Sequence, residues 1–277
     1  PDDAKWGSGT FPWSGWSINN PMNNYYYSFL TATMLTGLAT KGENDQADAW
    51  LTMFRQTKLD TQLIPRFTTD LVGGGSQEGT GYGISHQTLF HLYELWEKST
   101  GENLYGLSPH AEASLLWMQH AVMPTRDRLA PIGDHARDST ASLFDYHRNY
   151  LQILSWFYDG TVPAQTARLM LSQSTVPEMG QHFMAVYDFL YDQSGKPTSP
   201  LSSLYPVYYG SGTGQLYARS AWTTDATWIG YSAGPYTESH AHKDQGQVLV
   251  FNKEWLLYDG NIASHSGIQQ GEEGHNV

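Results

Sequence analysis

Apolar positions recur every three or four residues along the first two-thirds of the chain. In residues 24–40 (N-Y-Y-Y-S-F-L-T-A-T-M-L-T-G-L-A-T) this spacing sets Phe29, Leu30, Met34 and Leu38 on one helical face. The same period predicts helices over residues 45–57 and 84–99, the latter through Leu89, Leu92, Tyr93 and Trp96. Pro109 suits a first helical turn, where no amide hydrogen is needed, and opens a helix through Leu115, Leu116 and Met118 to about Val122. Residues 142–158, 163–172 and 179–191 continue the series. Helices in succession, with loops and no strands between them, argue for a helical array over alternating β and α units.

After Gln193 the pattern changes. S-G-K-P-T-S-P-L-S-S over residues 194–203 has the composition of a linker. Residues 215–219, 227–233, 247–251 and 254–258 are short and rich in strand formers. Asn252-Lys253 between the last two reads as a tight hairpin turn, with Asn252 able to take a positive φ. The chain therefore divides into a helical domain over 1–195 and the start of an antiparallel β domain over 196–277. It stops too soon after the last strand to close a two-layer sandwich, and both ends read as cut. The opening P-D-D-A-K-W-G resembles the interior of a longer protein.

Composition narrows the function. A net charge of −12 argues against a general nucleic-acid binder, which would carry a basic field. No apolar run approaches a membrane span, and the absence of cysteine removes disulfides and thiolate metal sites. Ten Trp, eighteen Tyr and ten Phe supply flat faces with polar edges, which suit stacking on sugar rings. Residues 6–16 (W-G-S-G-T-F-P-W-S-G-W) mix Trp with Gly, Ser and Pro, so they form a loop that cannot easily bury all its rings. An anionic substrate would need cations gathered locally, for which Arg66, Arg137, Arg148 and Lys243 are candidates.

The densest chemistry lies in S-H-A-H-K-D-Q-G over residues 239–246. His240 and His242 stand two apart, and a hairpin over 247–258 would return Asp259 beside them. Imidazole with carboxylate is an ordinary zinc ligand set, and His265 and His275 are available as further donors.

The run S-H-A-H-K-D-Q-G-Q-V-L-V-F-N-K-E-W-L-L-Y-D-G resembles the signature of the heparinase II/III-like polysaccharide lyases, whose relatives include alginate lyases. Gly274-His275-Asn276-Val277 resembles that family's later H-N-V element, and Glu78-Gly79-Thr80-Gly81-Tyr82 its E-G-x-x-Y segment. Asn23-Asn24 resembles its Asn-His segment and Gly133-Asp134 its Gly-Asp pair, all in family order. The resemblance implies an incomplete α/α toroid followed by an antiparallel β-sandwich, with substrate in the cleft between them. It implies β-elimination on a uronic-acid polysaccharide of alginate or glycosaminoglycan type, giving 4,5-unsaturated products. Tyr82 and His240 would be the acid and base, and Asn24 would hold the uronate carboxylate. Gln77, Glu78, Tyr25, Arg137 and Arg148 would bind substrate, while His242, Asp259 and His275 would hold a structural zinc ion. A periplasmic or secreted bacterial setting follows from the same likeness.

These residue types suit the reaction. A C5 proton beside a carboxylate is weakly acidic, so charge developing on the carboxyl group must be neutralised before a base can take the proton. One departure from the family stands out: Tyr25, not histidine, follows Asn24, and no histidine precedes His86. His86, His135, Arg137 and Arg148 could replace it; His91, His110, His120, His147 and His182 read as helix-face residues. The competing readings are a glycoside hydrolase, drawing on Glu78, Asp134, Asp138 or Asp145 as a carboxyl pair, and a non-catalytic glycan-binding module.

Overall fold

The structure, a computed structural model, describes residues 18–133, 145–174, 185–238, 240–242 and 244–258. The aromatic loop at 6–16 and His135, Arg137, Lys243, Asp259, His265 and His275 lie outside them. Seven α-helices among the described residues precede five strands: α1 (Asn24–Thr40), α2 (Ala47–Thr52), α3 (His86–Thr100), α4 (His110–Ala121), α5 (Asp145–Phe157), α6 (Val162–Ser172) and α7 (Val186–Leu190). Among the described residues no helix is long and apolar enough to cross a membrane.

Helix α1 spans the residues its periodicity outlines and buries Tyr26, Tyr27, Leu30 and Met34. Asn23 caps it, its side chain accepting from the Tyr25 amide, which satisfies one of the donors every helix start leaves open. The second predicted helix differs from its expected form. α2 is short and passes into a π-helical stretch, Met53–Leu63, that buries Phe54, Lys58, Leu59 and Leu63. The inward-turned Lys58 donates from Nζ to the Ile18 carbonyl at 2.7 Å and to Asn19 Oδ1 at 2.8 Å. Those bonds fix the segment that enters α1.

The strands β1 (Val207–Gly210), β2 (Gln215–Arg219), β3 (Trp228–Ser232), β4 (Val248–Asn252) and β5 (Glu254–Leu257) pair antiparallel in sequence order. β1 lies outside the strands predicted from the sequence, and the turn between β4 and β5 places the positive φ on Lys253 rather than on Asn252. Register puts Tyr217, Trp228, Leu249 and Phe251 on the buried face. Val207, Tyr209, Ile229, Tyr231 and Val248 occupy the opposite face and remain exposed.

The buried face is locked to the end of α4 by polar anchors in an apolar interface. Trp117 Nε1 donates to Gln215 Oε1 at 2.8 Å, and Trp228 Nε1 donates to the His120 carbonyl at 3.0 Å. Arg219, stacked 3.9 Å over Trp222, donates to the carbonyls of His120 and Val122 at 2.9 and 2.8 Å. These carbonyls are the open acceptors at the negative end of the helix, where a cation is favoured.

Three histidines are sealed within the helical array. His86 Nε2 lies 2.7 Å from the Tyr27 hydroxyl, which itself donates to the Pro21 carbonyl, so His86 supplies the proton. His110 stacks on Phe67 at 4.1 Å and meets His86 edge-on. Burial lowers His86 to about 3 and His147 to about 4, and holds His110 well below its ordinary value. Because the folded values are depressed, the unfolded chain takes up protons first as pH falls below about 6.5. The stabilisation is complete above that pH and decreases below it, by about 1.4 kcal/mol per pH unit for each histidine once titration is under way. Thermal melts should show the melting temperature falling between about pH 7 and 5, before most carboxylates titrate; a level profile would contradict this account.

Candidate active site

The loop before α3 is fastened by its own backbone. Thr80 donates its amide to the Ile132 carbonyl at 2.9 Å and its hydroxyl to the Ala130 carbonyl at 2.6 Å. Gly79, at φ +75°, lies so close that a Cβ there would fall 2.0 Å from the Ile132 oxygen. The chain then enters a 3-10 turn, Tyr82–Ser85, which leads directly into α3. Tyr82 is thereby held half-buried in the wall of a cavity of about 520 Å³, which Asn24, Ser28, Ser85, Tyr146 and His147 also line.

From the sheet side, the loop between β3 and β4 delivers His240. Its ring stacks on Tyr82 with centroids 3.8 Å apart and planes inclined by 14°. Gly133 makes the approach possible. At φ +74°, its Cβ position would lie 2.7 Å from the Glu78 carbonyl oxygen and 2.9 Å from that of His240. The Gly in the Gly133-Asp134 pair thus has a steric reason: two loops close on its missing side chain.

Two buried carboxylates belong to the same two loops. Glu78 is 0% exposed; its Oε1 accepts from Asn23 Nδ2 at 3.1 Å and its Oε2 from the Asn24 amide at 2.8 Å. Glu238 accepts from Asn20 Nδ2 at 2.7 Å and from the same Asn23 Nδ2 at 3.3 Å. Tyr25 sits near enough that burial, then the charges of Tyr82 and Glu78, raise its pKa.

The expected substrate-binding set separates by position. Gln77 is directed away from solvent, its Nε2 donating to the carbonyls of Asp70 and Gly212 at 2.8 and 2.9 Å, so it ties the helical part to the turn after β1. Glu78 is too deeply buried to meet a polymer and supports the wall instead. Arg66 pairs with Asp70 at the exposed surface at 2.9 Å and does not line the cavity at Tyr82. Arg148 is buried on α5, beside His147. His86 lies behind the cavity on Tyr27, so it does not replace the histidine missing after Asn24. His147 does reach the wall, though its Nε2–H is spent on the Thr80 carbonyl at 2.8 Å and burial keeps the ring neutral. Sequence reasoning does not single out His147, Glu238 or Asn20 as parts of a site; only the nearness of Glu238 to the S-H-A-H segment points to one of them.

His242 lines a different cavity from Tyr82. It and Asp244 are buried around a small cavity of about 30 Å³ with Gln77, Gln215 and Ser232. Among the described residues no three His, Asp or Glu side chains converge on a common metal position. The other two expected ligands, Asp259 and His275, lie outside those residues.

The helical array, the antiparallel sheet and the loops meeting between them define an α/α plus β fold. No protein-family model matches the sequence, and no curated sequence relative does. Solved structures do match. The chain is similar to a mutant of the heparan sulfate lyase HepC from Pedobacter heparinus, at 16% identity and TM-score 0.57, over 89% of this chain and 34% of that one. It is similar to heparinase III, at 12% identity and TM-score 0.62, over 88% and 35%. A third match is the heparinase III BT4657 gene product, at 14% identity and TM-score 0.53, over 84% and 32%. The chain thus spans about a third of the length of these structures, and the likeness establishes the fold read from the sequence motifs.

Replacing Gly133 by Ala tests the close approach. The added methyl must displace two backbone carbonyls at a positive φ, so a loss of about 2–4 kcal/mol is expected in chemical denaturation. A loss below about 0.5 kcal/mol, the range of an ordinary surface change, would show that the loops do not meet there.

Proposed function

We propose that this chain carries the catalytic centre of a polysaccharide lyase that cleaves a uronic-acid polymer by β-elimination. The observation that carries the reading is the stack of His240 on Tyr82, which lines a cavity together with Asn24. A phenol and an imidazole, both able to take and give a proton, stand together where the helical part meets the sheet. The fold likeness to structures named as a heparan sulfate lyase or as heparinase III supports a polyanionic substrate of glycosaminoglycan or alginate type.

In the proposed reaction the side-chain amide of Asn24 binds the uronate carboxylate, spreading the charge that builds as C5 loses its proton. Tyr82 and His240 share the proton transfers: the C5–H electrons form the C4–C5 double bond while the C4–O4 bond breaks and O4 receives a proton. Arg137 is the proposed further neutralising group; Arg148, buried on α5, would contribute its charge without touching the polymer. A hydrolase would require two carboxyls flanking the sugar. Among the described residues, Glu78 and Glu238 are buried and bound to amides, which favours elimination. A polymer of this kind does not cross membranes, so a secreted or periplasmic site of action accompanies the proposal.

Incubation with heparan sulfate, hyaluronan, chondroitin or alginate should generate the ultraviolet absorbance of an unsaturated uronate. Tyr82→Phe should lower kcat by about 10²–10⁴-fold with an unchanged circular dichroism spectrum. Full activity in Tyr82→Phe, or cleavage products without that absorbance, would overturn the reading.

We further propose that His242, Asp259 and His275 hold a zinc ion. Two imidazoles and a carboxylate are a suitable donor set, and the burial of His242 keeps water from competing for it. The ion would supply a structural cross-link. Elemental analysis should find zinc at about one per chain, and His242→Ala should lower the melting temperature. A metal-free protein whose melt is indifferent to that substitution would remove the zinc from the account.

A further inference from the structure

We infer that Asn23 and Glu238 are positioning residues that set His240 against Tyr82. The inference rests on the lyase reading for its kinetic readout only; its geometry stands apart from it.

Each ring of the stack hangs on a short tether from a buried carboxylate. Glu78 precedes Tyr82 by four residues and Glu238 precedes His240 by two. Both carboxylates end on one side chain, because Asn23 Nδ2 donates one hydrogen to Glu78 and the other to Glu238. Asn23 Oδ1 meanwhile accepts from the Tyr25 amide and caps α1. The three polar positions of one amide therefore join the start of α1, the loop of Tyr82 and the loop of His240. Aspartate would cap the helix equally well, yet it would offer no hydrogens and would set a third carboxylate beside two others. The outer oxygens are satisfied separately: Glu78 Oε2 by the Asn24 amide, Glu238 Oε1 by Asn20. Asn20 is itself oriented by the Met22 amide, which donates to its Oδ1 at 3.1 Å.

None of these groups needs to touch substrate. Their effect is on distance: a ring displaced by about an ångström from its working position can lower turnover substantially while binding is kept. The carboxylate-to-amide pairs are also isosteric with their reversed forms, which allows a rescue experiment. In Glu238→Gln the new amide group faces the Asn20 amide, donor against donor. In the double variant Asn20→Asp with Glu238→Gln, the amide introduced at position 238 instead donates to the new carboxylate at position 20, and the bond to Asn23 is retained.

Glu238→Gln should lower kcat on a uronate polymer by about 10–100-fold while KM stays within about threefold, and the double variant should recover to within about threefold of the parent. A second readout does not depend on activity. The His240 ring protons, identified by their loss in His240→Gln, should resonate upfield in proton NMR because of the Tyr82 ring current. That shift should shrink in Glu238→Gln and return in the double variant. Should the parent cleave no uronate polymer, the lyase reading fails and the ring-current arm alone decides the positioning role. Parental NMR shifts in Glu238→Gln, or a double variant no better than the single one, would overturn the inference.

Discussion

A carboxylate shut away from water must receive its hydrogen bonds from the protein, because an ionised group left without them is among the costliest things a fold can bury. At Glu78 that demand is met by the first backbone amide of α1 and by the side chain that caps the helix. Helix α1 carries no acidic residue in its own first turn; Glu78 comes from a distant loop to occupy that electrostatic position. The start of the helix and the loop of Tyr82 are thus a single unit. Lys58 steadies the same unit from behind by holding the backbone of Ile18 and the side chain of Asn19.

The second anchoring principle runs through the sheet. Arg219 and Trp228 donate into the open carbonyl end of α4 from β2 and β3, while Gln77 binds the turn after β1. A cation at a helix end satisfies acceptors that would otherwise be buried empty, and burial together with Arg126 lowers the Arg219 pKa to about 9. The loop that presents His240 joins β3 to β4 of this anchored sheet. Gly133 then defines how near the two loops come.

Much of this was legible in the sequence because it depends on periodicity. The limits of α1, the place of α4 and the strands β2 to β5 follow from apolar spacing and turn residues, and the S-H-A-H and E-G-x-x-Y segments indicated which two rings to seek together. What was hidden depends on tertiary partners. β1 contains Val207, Tyr208 and Tyr209 directly after a proline, too short a run to separate from the preceding linker. Nothing in the sequence distinguishes Gln77, whose donors are used on backbone, from a residue aimed at a ligand. Likewise Asn23 reads as an ordinary helix cap until the two glutamates that share its amide are brought from 55 and 215 residues away.

The π-helical stretch has a consequence for comparison between chains. Between Met53 and Leu63 the buried side chains fall at 54, 58, 59 and 63, an interval wider than a standard helix provides. Bonding to the fifth residue in place of the fourth inserts extra chain into each turn without lengthening the element in proportion. Any alignment that assumes a uniform helical pitch will slip across this segment, matching inward residues with outward ones. Correspondence here is better sought from the bonds of Lys58 to the entry of α1 than from counting residues.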